Sequence, residues 1–259
     1  MPEKIKWAAI GDSFTYLNDH LDETGYRVTK GYLTRIAEAL PQPELNNLGI
    51  NGSNFECWIG QEIPFADLYT VLLGTNDWHG GMPLGSVKTF RARETGNTAG
   101  RLGILLDHIR GANPAAKIVV GTPVPRGDFV YILDAENNAH GSWAPDREQG
   151  TGREVYLHEV ASLILDCCEA EGVPCIDLYR AAGFTEANAV KFKRVKVGGA
   201  YRDLPYPDYV GAPFDPKRDE YPYPPEAADM TYDGLHPSDK GNARIAELFV
   251  EKIVEECKF

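Results

Sequence analysis

The 259-residue chain has no apolar run approaching the ~20 residues that a membrane-spanning helix requires, so a bilayer span is not expected. It has no extended cluster of lysine and arginine, and its formal net charge is −12. A protein that neutralises phosphates needs such clusters, so a nucleic-acid partner is not expected either. An even cysteine framework is also missing. There are five cysteines, and no histidine pattern accompanies the close group Cys167, Cys168 and Cys175. An odd count without a ligand pattern fits reduced, structural thiols and no metal centre. The opening MPEKIKWAAIG has an apolar part too short for a signal-peptide core. It reads as a first strand in a cytoplasmic protein.

Several nucleotide and hydrolase signatures are absent as well. No G-x-x-x-x-G-K-[ST] occurs, and no G-x-G-x-x-G follows the first apolar run. His158 begins HEVAS, which lacks the second histidine of a zincin helix. There is no G-x-S-x-G elbow.

What the chain does have is alternation. Short apolar runs at Ile5–Ile10, Glu44–Ile50, Leu68–Leu73, Lys117–Gly121 and Val173–Ile176 predict strands. Between them, apolar residues recur at three and four, as in Tyr32, Leu33, Ile36, Ala37 and Leu40. Leu102, Leu105, Leu106 and Ile109 repeat the pattern, as do Val160, Leu163, Ile164 and Cys167, then Ile245, Leu248, Phe249 and Ile253. Strands alternating with helices imply an α/β fold, a doubly wound five-stranded parallel sheet flanked by helices in three layers. One domain over residues 1–259 is expected, because no linker or repeat divides the chain. From about 185 to 230 the rhythm breaks into a segment rich in tyrosine and proline. Its prolines exclude a long helix and disfavour a central strand, and its aromatics argue for an ordered excursion over the edge or mouth of the sheet.

In a doubly wound sheet, ligands collect beyond the carboxyl ends of the strands. Four short blocks fall there: Gly11-Asp12-Ser13, Asn47 to Asn54 (NLGINGSN), Gly74-Thr75-Asn76-Asp77, and Asp233 to Gly241 (DGLHPSDKG). Their order and placement resemble the SGNH (GDSL-type) hydrolase family over nearly the whole chain. Gly11-Asp12-Ser13 matches its first block, with Phe14 where leucine is frequent. Asn47, Gly49 and Gly52 match the second, Gly74 to Asp77 the third, and Asp233 to His236 the last.

The resemblance implies a flavodoxin-like sheet and a serine hydrolase without metal or organic cofactor. Its catalytic residues would be Ser13, His236 and Asp233. The residues themselves agree. A serine hydroxyl is a poor nucleophile until a base takes its proton. His236 can be that base, and Asp233, three residues earlier, can hold one imidazole tautomer. Pro237 restricts His236 to an extended backbone, and Ser238 suits a helix cap. The family further implies an oxyanion hole from the Ser13 and Gly52 N–H groups and the Asn76 side-chain amide. Gly52 suits a close backbone approach or an ordinary turn.

Asp12 and Asp77 are expected to fix loops rather than react. His79 is a rival base, or a pocket wall with Trp78, and Arg126 either lines the mouth or is solvated. Asp12, Trp78, His79 and Arg126 are thus the candidates for substrate contact. The expected function is hydrolysis of a small O-acyl ester, an acetyl ester on a carbohydrate being favoured. Transfer of the acyl group to another hydroxyl, or non-catalytic ligand binding on the same fold, are the alternatives. The partner is then a small acyl ester, and a homo-oligomer is compatible with the aromatic-rich excursion.

Overall fold

The computed structural model describes residues 4–127, 155–215 and 217–257. Five parallel strands lie in the order β2-β1-β3-β4-β5: β1 Ile5–Gly11, β2 Pro43–Asn47, β3 Leu68–Leu72, β4 Lys117–Gly121 and β5 Cys175–Ile176. Side chains alternate across each strand, so one strand feeds two cores. Ala8, Ile10, Tyr69, Val71, Ile118 and Val120 face one, while Trp7, Ala9, Leu68, Leu72 and Val119 face the other. Burial on both faces explains why these runs are almost continuously apolar.

Helices complete each layer. On the first face lie α5 (Thr98–Ala112) and α6 (Leu157–Ala170), which bury Leu102, Leu105, Leu106 and Ile109 and then Val160, Ile164, Cys167 and Cys168. On the second face lie α2 (Tyr32–Ala39) and the C-terminal α8 (Asp239–Cys257). Tyr32 and Phe249 meet there with ring centroids 5.8 Å apart, and Tyr32 N–H donates to the Asn242 side chain at 3.0 Å. Shorter helices are α1 (Ser13–Tyr16), α3 (Thr75–His79), α4 (Val87–Arg91) and α7 (Leu178–Ala181).

Two strand ends differ from the sequence expectation by more than one residue. The second run was expected to continue to Ile50, but β2 stops at Asn47. Its continuation still bonds β1, through Leu48 N–H to Ala9 O and Ile50 N–H to Gly11 O. The fifth was expected from Val173, but that residue's N–H donates to Cys168 O and closes the end of α6 past Gly172, whose φ is +64°. This leaves two residues for β5.

The tyrosine- and proline-rich segment contains a hairpin the sequence reading did not place: β6 (Phe192–Val197) and β7 (Ala200–Pro205), a separate antiparallel sheet. Gly198 and Gly199 form its two-residue turn with φ of +60° and +87°, the geometry that matches strand twist. Arg194 and Asp203 pair across it with two bonds of 2.6 and 2.8 Å. Tyr209 and Tyr223 are buried with Val190 in a small core of their own. The base of the excursion is fixed where Met230 and Thr231 N–H groups donate to Asn188 and Ala189 carbonyls. That seam delivers the chain directly to Asp233.

Candidate functional site

Strand order 2-1-3 makes the chain diverge between β1 and β3, and the crevice at that point lies beyond their carboxyl ends. Ser13 follows β1, and Thr75-Asn76 follows β3. Topology alone therefore brings these two blocks together.

The first turn is built for tightness. Asp12 caps α1, its Oδ1 accepting the Phe14 N–H at 3.0 Å, and Ser13 becomes the first helical residue. N–H groups in a first helical turn have no partner within the helix. Gly11 is required because a Cβ there would lie 1.9 Å from Thr15 Oγ1. That hydroxyl shares a 2.8 Å bond with the Tyr32 phenol, which ties the turn to α2. Asp12 is buried, and burial pushes its carboxyl up to about 6 against the opposing pull of the Phe14 N–H and of His236 and Arg126. It lies under the site as a cap, the role of a loop-fixing residue.

The second block wraps around this turn. Asn47 donates to Thr15 O and to Asp19, both at 2.9 Å, and accepts the Gly49 N–H. A Cβ on Gly49 would sit 2.3 Å from Tyr16 N. Gly52 is a different case. A Cβ there would meet nothing within 4 Å, and its φ of +73° is what calls for glycine. The turn itself calls for glycine at residue 52. Ser53, overlooked in the sequence, links three blocks. Its hydroxyl donates to Gly11 O at 3.0 Å, and its carbonyl accepts the Asn76 amide at 2.8 Å. One N–H of that amide is thereby oriented.

Asp77 is fully buried and accepts the Phe55 N–H at 3.3–3.4 Å. Burial pushes its carboxyl from 3.8 up to about 7, with the Phe55 N–H and Arg101 opposing. A raised carboxyl favours the folded state fully below 3.8, and that contribution is lost as pH rises through about 7. Asp77→Asn cannot ionise, so its stability relative to the parent should grow between these limits. Urea unfolding at pH 5 and pH 8 should show that difference larger at pH 8 by about 2–3 kcal/mol. An equal difference at both values would show that Asp77 does not titrate in this window.

Trp78 is buried in the first core and its Nε1 donates to Val155 O at 2.9 Å. Arg126 is not solvated; it is 2% exposed, its guanidinium 5.5 Å from the Trp78 ring centroid and 3.2 Å from Thr75 Oγ1. Position at the end of β4 puts this cation beneath α3, a placement its neighbours in sequence did not reveal. His79 is half-buried at the end of α3.

The fourth block completes the constellation. Thr231 and Pro237 form a bridge, and the Tyr232 N–H donates to His236 O at 3.0 Å, so residues 231–237 make a closed turn. Asp233 Oδ1 accepts the N–H groups of Leu235 (2.9 Å) and His236 (2.6 Å). Its Oδ2 lies 2.6 Å from His236 Nδ1. His236 Nε2 lies 3.0 Å from Ser13 Oγ. Ser238 caps α8, accepting the Lys240 and Gly241 N–H groups at 3.2 and 3.3 Å. A hydroxyl, an imidazole and a carboxylate thus stand in one chain of hydrogen bonds, spanning 223 residues of sequence. Such a chain can draw a proton from the hydroxyl as it attacks an electrophile.

Comparison with known proteins gives the class. The chain belongs to the GDSL-like lipase/acylhydrolase family, whose pattern matches residues 9–244. A solved structure described as a possible lipase from Chitinophaga pinensis DSM 2588 is 45% identical and covers 97% of this chain and 98% of its own, with a TM-score of 0.90. A protein from Lactobacillus plantarum (19% identity, TM-score 0.60, 98% of both chains) shares the fold. So does a carbohydrate acetylesterase family member from Sinorhizobium meliloti (12% identity, TM-score 0.55, 99% of this chain and 100% of its own). Among curated proteins, none matches. No described helix is long and apolar enough to cross a membrane, and no group of three or more metal-ligating side chains occurs among the described residues.

Proposed function

We propose that the protein is a serine esterase that hydrolyses small O-acyl esters, acetyl esters of carbohydrates above all. The observation that carries this reading is the 3.0 Å contact between Ser13 Oγ and His236 Nε2, with Asp233 2.6 Å behind the imidazole. Ser13 attacks the acyl carbon while His236 takes its proton, and Asp233 keeps the imidazole in the tautomer whose Nε2 accepts. Charge developing on the acyl oxygen is met by the Ser13 and Gly52 N–H groups and the second side-chain N–H of Asn76. His236 then gives its proton to the departing alcohol. Water repeats the sequence on the acyl-enzyme and releases the acid.

Two features support a small acyl group on an uncharged alcohol. Ser13 is only 5% exposed, which suits an acyl group with little bulk. A net charge of −12 disfavours anionic esters and assists release of a carboxylate. The test pairs a fluorophosphonate probe with a series of aryl esters and acetylated sugars. Labelling at Ser13, acetate release from the sugars, and a kcat/KM that falls steadily from acetyl to octanoyl are expected. A labelled enzyme that hydrolyses no ester, but passes acetyl to a sugar hydroxyl, would replace hydrolysis by transfer.

A further inference from the structure

Two aromatic rings reach the His236 imidazole from different elements. Tyr232 lies in the same closed turn, with ring centroids 5.8 Å apart and the planes inclined by 18°. Phe14 comes from α1, immediately after Ser13, at 5.9 Å and 57°. Both are buried, at 7% and 6% exposure. Their backbones are held independently, Tyr232 N–H by His236 O and Phe14 N–H by Asp12 Oδ1. The three rings border one narrow recess with Leu17, Leu21 and Val28. The base is therefore presented to Ser13 from a largely buried recess of aromatic and aliphatic side chains, which Asn18, Thr24 and Asn242 also line, with 12% of the imidazole side chain still exposed.

We propose that Phe14 and Tyr232 are positioning residues that hold the His236 ring on Ser13 and stabilise its protonated form, a role that deepens the esterase reading and rests on it. Aromatic faces carry negative charge density and attract a cation within about 6 Å of the centroid. During acylation the imidazole becomes such a cation. Tyr232, stacked on it, favours that state, and Phe14 fixes the ring's tilt from the nucleophile's own helix. Neither residue touches the reacting atoms. Among the described residues, the charged groups that act on His236 include Asp233 from its own turn and Asp12 from the turn after β1, with Arg126 beyond β4 acting on Asp12. Around Tyr232 stand Arg27, Glu23 and the Tyr221 phenol. These groups stay in place when a ring is exchanged, so a change in titration reports the ring.

The experiment compares Tyr232→Phe, Tyr232→Met, Phe14→Leu and the chain carrying pentafluorophenylalanine at position 232. The last keeps shape while removing the negative face. Profiles of kcat/KM against pH are read on an aryl acetate. Alongside them, the His236 imidazole is titrated by NMR in a Ser13→Ala background, a readout that needs no turnover. Tyr232→Phe, which keeps the ring face, should shift both less than Tyr232→Met does. Tyr232→Met and the fluorinated ring should move the acidic limb and the imidazole titration to lower pH by roughly 0.5–1 unit. They should also lower kcat about three- to tenfold at constant KM. Phe14→Leu should lower kcat with a smaller shift. Unchanged titration and kcat in the fluorinated protein would overturn the proposal even if Tyr232→Met fails to fold. A loss in Tyr232→Phe equal to that in Tyr232→Met would overturn it too, because the hydroxyl would then be the contributor. Failure of the esterase reading would look different: the parent enzyme itself would show no Ser13-dependent turnover, while the NMR titration would still report the rings.

Discussion

Ser13→Ala is expected to lower kcat on an aryl acetate by on the order of 10⁶, the loss seen when the nucleophile of a hydrogen-bonded triad is removed. His236 Nε2 reaches this hydroxyl at the end of β1 at 3.0 Å. Removing it takes away the covalent route and leaves the oxyanion donors, so a residual acceleration of about 10³–10⁴ over water should survive. Stability should change little. Ser13 contributes one side-chain bond to a partly solvated ring, whereas the turn is held by Asp12, Asn47 and Ser53 through bonds that alanine leaves intact. The measurement is kcat and KM for parent and variant, with a thermal melt to show the fold. Turnover within tenfold of the parent would exclude Ser13 as nucleophile and send the search to another hydroxyl.

The parts of this fold that could be read in advance are those in which one residue's chemistry suffices. Doubly buried strands announce themselves as continuous apolar runs, and β1, β3 and β4 lie where those runs lie. The four blocks are legible because three follow a strand's carboxyl end and the fourth leads into the C-terminal helix, and each carries residues with few alternative uses: an aspartate-serine turn, an asparagine after glycine, an aspartate three before a histidine. What was hidden depends on closure. Arg126 looks like a surface arginine until β4 places it under α3 against Trp78. The bond from Trp78 to Val155, 77 residues on, has no trace in the sequence around either residue. The hairpin carried a readable signal, Gly198-Gly199 between two alternating runs, but the prolines around it masked the period. Ser53 gave no signal, because its value lies in bonds to Gly11 and Asn76, distant in sequence. The tyrosine-rich segment has a use that composition did not suggest: its base, at residues 188–190 and 228–231, frames the turn that presents Asp233 and His236.

That frame makes Asp233 the most informative residue to alter by a single atom. Asp233→Asn should keep the turn and lose the chemistry. Oδ1 accepts two backbone N–H groups, at 2.9 and 2.6 Å, so in the variant the amide oxygen takes that position. The amide nitrogen then occupies the place of Oδ2, 2.6 Å from His236 Nδ1. An amide N–H can only donate there, which forces Nδ1 to accept and puts the ring proton on Nε2. Nε2 then points a proton at Ser13 Oγ instead of a lone pair, and the base is disarmed in place. A loss of about 10⁴ in kcat is expected, with KM nearly unchanged, because the geometry that binds substrate is untouched. The tautomer is directly observable. The ¹⁵N shifts of the His236 ring at neutral pH should report a proton on Nδ1 in the parent and on Nε2 in the variant. Ring shifts that show the same tautomer in both, together with the same loss of kcat, would mean that Asp233 acts through charge rather than by orienting the proton.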